Sequence, residues 1–145
     1  MGIIVDQVDP IDAYTTLAQG PNSLLIDVRT RAEWQFVGLP DLAGVSKETI
    51  LAEWIQFPNM GPNPSFLDEI TRVITAQIPD RLFFICRSGS RSLAAAQAVA
   101  GLAEQRGGPT HCTNVLEGFE GELDSDGHRG TLNGWKARGL PWHQG

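Results

Sequence analysis

Apolar positions along the chain follow two rhythms that alternate. Between Pro10 and Gln19, Ile11, Tyr14 and Leu17 recur at three-residue steps, which predicts a helix. Asp9 is placed to cap it, Pro10 to open it and Gly20-Pro21 to end it. The apolar run Leu24–Val28, bounded by Asn22-Ser23 and by polar residues, predicts a buried strand. Ala32–Phe36 predicts one helical turn, broken by Leu39-Pro40-Asp41. Thr49–Phe57 fits both periods. Ile50, Leu51, Trp54 and Ile55 mark a helix face, whereas Ile50, Ala52 and Trp54 alternate as in a strand. Pro58 and the turn-rich stretch through Pro64 cut the segment short and favour the strand. A helix then starts at Pro64-Ser65, with Phe66, Ile70, Val73 and Ile74 on one side.

Arg81–Cys86 is the strongest strand pattern in the chain. It leads through Arg87-Ser88-Gly89-Ser90-Arg91 into an alanine-rich helix from Ser90 to Gln105, stopped by Gly107-Gly108. Cys112–Leu116 predicts another short strand. From Glu117 the chain is glycine-rich and acidic, with a short helix expected near Leu132–Arg138 before Gly139-Leu140-Pro141-Trp142. Strands alternating with helices predict an α/β fold: a central parallel sheet of about five strands with helices on both faces. Sites in such sheets form beyond the carboxyl ends of the strands, which is where Cys86 falls.

The 145 residues suit a single domain spanning 1–145. A net charge of −6 argues against bulk binding to nucleic acid or anionic membrane. There is no apolar run of about 18 residues that would span a membrane. The N-terminus lacks the basic and long apolar segments of a secretion signal, and Asp6 departs from a myristoylation motif. Cys86 and Cys112 form neither a CxxC pair nor a zinc-type cluster. These features point to a cytoplasmic, reducing setting with both thiols free, and no metal or other cofactor is implied.

The hexapeptide Cys86-Arg87-Ser88-Gly89-Ser90-Arg91 joins a buried strand to a helix N-terminus. Backbone N–H groups in such a loop have no strand or helix partner and can converge as an anion cradle. The helix end adds free N–H groups and positive potential. Gly89 allows the backbone angles a cup requires. Arg87 and Arg91 bring positive charge, so the Cys86 thiol is expected to be ionised near neutral pH, the condition for a nucleophile. A strand-end cysteine is more often inert, but an inert thiol has no use for two guanidiniums beside it.

The loop is similar to the active-site loop of rhodanese-like domains, for which Cys-Arg-Ser-Gly-x-Arg is a frequent form. Leu25-Ile26-Asp27-Val28-Arg29 with Glu33-Trp34 resembles the family's Asp-Val-Arg-x-x-x-Glu-aromatic motif. Asn114-Val115-Leu116-Glu117-Gly118-Phe119 resembles its Asn-Val-x-Gly-Gly segment, and Gly139-Leu140-Pro141 its C-terminal Gly-x-Pro. The resemblance implies a rhodanese-like fold and a sulfurtransferase with Cys86 as persulfide-carrying nucleophile. It places Arg87, Ser88, Gly89, Ser90 and Arg91 around the substrate. Arg87 is expected to bind the donor's anionic end and Arg91 to brace the loop. Asp27, Arg29 and Glu33 are read as supports of the site's shape. The implied partners are a small anionic sulfur donor such as thiosulfate and a thiol or cyanide acceptor, with a protein persulfide as a further option. Related cysteine-dependent phosphatases have five residues between cysteine and arginine. Here there are four, which disfavours a phosphatase or arsenate reductase. Silent members that only bind or regulate usually lack the cysteine. Val37–Leu42 departs from the family's Gly-His-Ile-Pro-Gly-Ala, and the segment Glu120–Gly134 is an insertion.

Other residues are open to a structural and a functional reading. Cys112 is expected to be a small apolar residue on an interior strand rather than a partner resolving the Cys86 persulfide. Asp124-Ser125-Asp126-Gly127, with Glu122 nearby, resembles a calcium loop only faintly and is expected to be a solvated acidic loop. For His128-Arg129 in the same loop, contact with substrate at the site mouth is the less favoured reading. Trp34, Trp54, Trp135 and Trp142 are expected in core or rim packing, with Trp54, Phe57 and Met60 as an alternative apolar wall beside the cup. His111 and His143 carry no signal.

Overall fold

The computed structural model describes residues 5–105 and 111–144. In chain order the strands are β1 (Asp6–Val8), β2 (Ser23–Asp27), β3 (Leu39–Pro40), β4 (Ile50–Leu51), β5 (Ile55–Gln56), β6 (Gly61–Pro62), β7 (Arg81–Ile85), β8 (His111–Val115) and β9 (Trp142–His143). The helices are α1 (Pro10–Gln19), α2 (Arg31–Val37), α3 (Phe66–Gln77) and α4 (Ser90–Gln105). Five strands form one parallel sheet in the order β1-β8-β7-β2-β4. β3 and β9 pair antiparallel, as do β5 and β6.

Alternation along the central strands divides the core in two. Leu82, Phe84 and Cys86 pack on one face with Ile26, Val28 and Cys112, beneath Phe66 and Ile70 of α3 and Ala95, Ala96 and Val99 of α4. Phe83 and Ile85 pack on the other face with Leu25 and Val115, beneath Ala13 and Leu17 of α1 and the C-terminal residues Phe119 and Trp135. Helices thus cover both faces, and because β7 lies mid-sheet every apolar side chain of Leu82–Ile85 is fully buried.

The caps explain where the helices begin. Asp9 accepts the Asp12 amide at the start of α1. Thr30 and Glu33 form a reciprocal capping box on α2, a helix with no buried residue. Two expectations are corrected. Thr49–Phe57 is not one strand: Ile50-Leu51 joins β2, and the chain then turns away so that Ile55-Gln56 pairs with Gly61-Pro62. Leu132–Arg138 forms turns rather than a helix, because Gly134 and Gly139 hold φ of 99° and 77°, outside the helical range. Strand β1 has no counterpart in the sequence reading. The expected stop at Gly107-Gly108 lies outside the described residues. Among the described residues, no helix is long and apolar enough to cross a membrane.

Candidate active site

β7 delivers Cys86 to the carboxyl edge of the sheet, and α4 starts four residues later. The loop between them is held from behind by its carbonyl groups. The Cys86 carbonyl accepts the Phe119 amide, and that of Arg87 accepts the amides of Glu120 and Gly121. The Gly89 carbonyl accepts the Leu93 amide and Asn114 Nδ2. With these carbonyls engaged outward, the Gly89 N–H donates to Cys86 Sγ at 3.1 Å. Gly89 has φ of 115°, the conformation for which glycine was expected here. Gly118 makes the clamp possible: a Cβ on it would lie 2.5 Å from the Cys86 and Arg87 carbonyl oxygens.

A second donor to the sulfur was missed in the sequence. Ser92 Oγ lies 3.2 Å from Cys86 Sγ and 2.6 Å from Asn114 Oδ1. Asn114 Nδ2 donates to Gln7 Oε1 and to the Gly89 carbonyl, which orients the amide. Ser92 and Asn114 are both buried. The available signal was parity. Asn114 lies two residues after core-facing Cys112 and opposite Phe84, two before Cys86, so all four share the α4 face. A fully buried serine in an alanine-rich helix was the other clue.

The two arginines differ. Arg91 is paired in bidentate fashion with Glu33, at 2.7 and 2.8 Å. Burial alone would raise the Glu33 pKa, but the hydrogen bonds and charge of Arg91, with the amide and hydroxyl of Thr30, bring it down to about 2. Hydrogen bonding to Glu33 raises the Arg91 pKa, outweighing burial. Arg87 is exposed and lines a cavity of about 990 Å³ with Ser90 and Arg91. Ser88 and Gly89 are partly buried in the loop.

Besides Glu33 and Val37 of α2, two separate segments wall the cavity. Ile55, Phe57 and Met60 belong to the β5–β6 hairpin, and Leu123, His128 and Arg129 to the 120–134 insertion. Trp54 is not part of this wall; it turns inward and meets Phe66 edge-on. Cys86 is 1% exposed, and its sulfur lies beneath the loop rather than on the cavity lining. The sulfur is therefore not open at the lip of the sheet, because Ser92, Asn114 and the loop close around it.

Asp27 and Arg29 lie on the opposite, α1 face, fully buried. They bond at 2.7 Å, and Arg29 also donates to the Gly38 carbonyl and stacks on Phe119. They reach the site through Phe119, whose amide holds the Cys86 carbonyl, and through the charge of Asp27, which acts on Arg91. Cys112 is a buried core residue, and burial pushes its thiol up to about 12. The Asp124 carboxylate is occupied by its own loop, accepting the amides of Asp126 and His128 and the Thr131 hydroxyl. Glu117 adopts φ of 71°. It is secured by Arg138 and the Gly134 amide.

A five-stranded parallel sheet with helices on both faces gives this chain a rhodanese-like α/β fold. The same fold is seen in the polysulfide-sulfur transferase homodimer of Wolinella succinogenes, with a TM-score of 0.54 and 18% identity over 97% of this chain and 80% of that one. Much nearer is Rv0390 of M. tuberculosis, 42% identical with a TM-score of 0.84 over 99% of this chain and 100% of that one. The uncharacterised protein RP600 of Rickettsia prowazekii is 34% identical over 97% of this chain and 98% of its own length. A homologue in Rickettsia rickettsii is 35% identical over 95% and 97%. The chain belongs to the same family as RP600 and Rv0390. No family model matches it.

Proposed function

We propose that the protein is a rhodanese-type sulfurtransferase in which Cys86 carries sulfane sulfur as a persulfide. One observation carries this reading: Cys86 Sγ accepts from the Gly89 amide and lies within reach of the Ser92 hydroxyl, inside a loop whose carbonyls are turned away. Such donors stabilise negative charge on sulfur, in the manner of an oxyanion hole.

In the first step the Cys86 thiolate attacks the outer sulfur of thiosulfate. An S–S bond forms, the bond to the sulfonate sulfur breaks, and sulfite leaves with its electron pair. In the second, cyanide or a thiolate attacks the outer persulfide sulfur, taking it as thiocyanate or a new persulfide and returning the Cys86 thiolate. Arg87 stands in the cavity to hold the donor's anionic end, while Arg91 is committed to Glu33.

The burial of Cys86 favours a second reading, a binding or regulatory module that does no chemistry. Mass spectrometry under non-reducing conditions separates the two. Treatment with thiosulfate is expected to add about 32 Da to Cys86, a persulfide. Cys86→Ser should abolish both the adduct and thiocyanate formation, and Arg87→Ala should slow loading by roughly 10²–10³. Absence of any adduct would leave the silent module. Parallel assays with p-nitrophenyl phosphate and arsenate check the phosphatase and arsenate reductase alternatives.

A further inference from the structure

We infer that the sulfur compound exchanging with Cys86 is an organic, amphipathic one, with its anionic sulfur end at Arg87 and an apolar body against Ile55, Phe57, Met60 and Leu123. This rests on the sulfurtransferase reading and names the substrate class within it.

Inorganic thiosulfate has charge and no apolar surface. Arg87 offers it a cation, yet the cavity that Arg87 lines is far larger than the anion. At about 990 Å³ it lies at the upper end of small-molecule sites, which run from about 300 to 1,000 Å³. Phe57 is 58% exposed, Leu123 53% and Met60 40%. Apolar surface held in water is unfavourable and marks a place where something apolar binds.

Both parts of the wall are held in place before any ligand arrives. On the hairpin side, Asn63 Nδ2 donates to the Glu53 carbonyl and to Glu69, and the Asn63 amide donates to the Trp54 carbonyl. In the insertion, Asp124 gathers two amides and a hydroxyl, and Arg129 Nη1 donates to the Gly121 carbonyl. Two independently braced segments therefore converge apolar side chains on one cavity. A preformed wall lowers the ordering cost of binding. Glu33 on this cavity is neutralised by Arg91, and Arg87 and Arg129 outnumber the remaining carboxylate, Glu120, so the occupant is one that joins negative charge to apolar bulk.

Thiosulfonates test this, because they deliver sulfane sulfur in the same balanced step as thiosulfate. The Cys86 thiolate takes the outer sulfur of R–SO2–S⁻, and the sulfinate R–SO2⁻ leaves. The measurement is the kcat/KM for loading Cys86 with benzenethiosulfonate relative to methanethiosulfonate, each divided by its rate with a free small-molecule thiolate. That division removes the intrinsic difference in leaving group. The normalised preference for the phenyl compound is expected to be at least about tenfold, the scale on which apolar pockets discriminate. It should fall at least about threefold in Phe57→Ala and in Leu123→Ala, by loss of one wall residue in each case. Both side chains are mostly solvent-exposed, so each variant is expected to keep its fold, checked by an unchanged melting profile. Thiosulfate loading Cys86 with a normalised phenyl preference near unity, or a preference untouched by both variants, overturns this inference and leaves the sulfurtransferase reading standing. Failure of every donor to load Cys86 brings down both.

Discussion

Arg91 and Glu33 share a bidentate ion pair, whereas the guanidinium of Arg87 stands at the cavity. Because Arg91 holds Glu33 down to a pKa of about 2, the pair's contribution to stability has a definite sign with pH. A depressed folded pKa means the contribution is fully present above the usual carboxylate value and is lost as pH falls from about 4.5 toward 2. Both side chains are 19% exposed, so solvent screening limits the contribution to about 1–2 kcal/mol. Glu33→Gln should lower stability at neutral pH and flatten its decline in acid, as measured by urea denaturation at several pH values. Ser92 offers a different test. Its single hydroxyl proton can serve Cys86 Sγ or Asn114 Oδ1, so Ser92→Ala removes one buried hydrogen bond and leaves whichever acceptor held it without that donor. The expected cost is about 1–3 kcal/mol, with slower loading of Cys86 by thiosulfate. Denaturation and single-turnover kinetics read the two effects separately.

The β7–loop–α4 unit was legible because each part is local. Four consecutive apolar residues end at a cysteine, a Ser-Gly-Ser loop follows, and an alanine-rich helix begins at Ser90, where it was expected. Helix α1 was equally plain, since its cap, its opening proline and its closing glycine lie within the segment itself. What escaped depended on distant partners. Three-residue β1 is a strand only because Asp6–Val8 pairs with Thr113–Val115. Thr49–Phe57 divides because β2 captures its first part while Gly61-Pro62 captures its last. The clamp of the Glu117–Gly121 turn on the loop is of the same kind, and it gives a prediction. Gly118→Ala would place a methyl group 2.5 Å from the Cys86 and Arg87 carbonyl oxygens. The loop must then shift, at an expected cost of about 1–3 kcal/mol, with loss of sulfur loading that exceeds the loss of stability. Melting curves and loading rates on the same preparation check this.

The two faces of the sheet divide the work. The α4 face holds Cys86, Ser92 and Asn114 together, and the α1 face holds the Asp27–Arg29 pair with Phe119 and Trp135. Asp27→Asn leaves Arg29 charged, buried and without its counterion, which should cost about 3–5 kcal/mol. Since Arg29 stacks on Phe119 and the Phe119 amide holds the Cys86 carbonyl, loading should also slow in whatever fraction remains folded. Equilibrium denaturation, with loading measured at a temperature where the variant is native, tests that link across the sheet. The sequence by itself determined the parallel α/β plan and the Cys86–Arg91 loop, because periodicity, caps and the glycine requirement act over a few residues. Only the tertiary structure decided that Arg91 serves Glu33 while Arg87 makes no ion pair among the described residues, and that Asn114 and Ser92 flank the sulfur. It also drew the hairpin and the insertion together around one cavity. The Arg91–Glu33 and Ser92–Asn114 contacts join residues 58 and 22 positions apart, and no local rule chooses between such partners until the packed sheet brings them within reach.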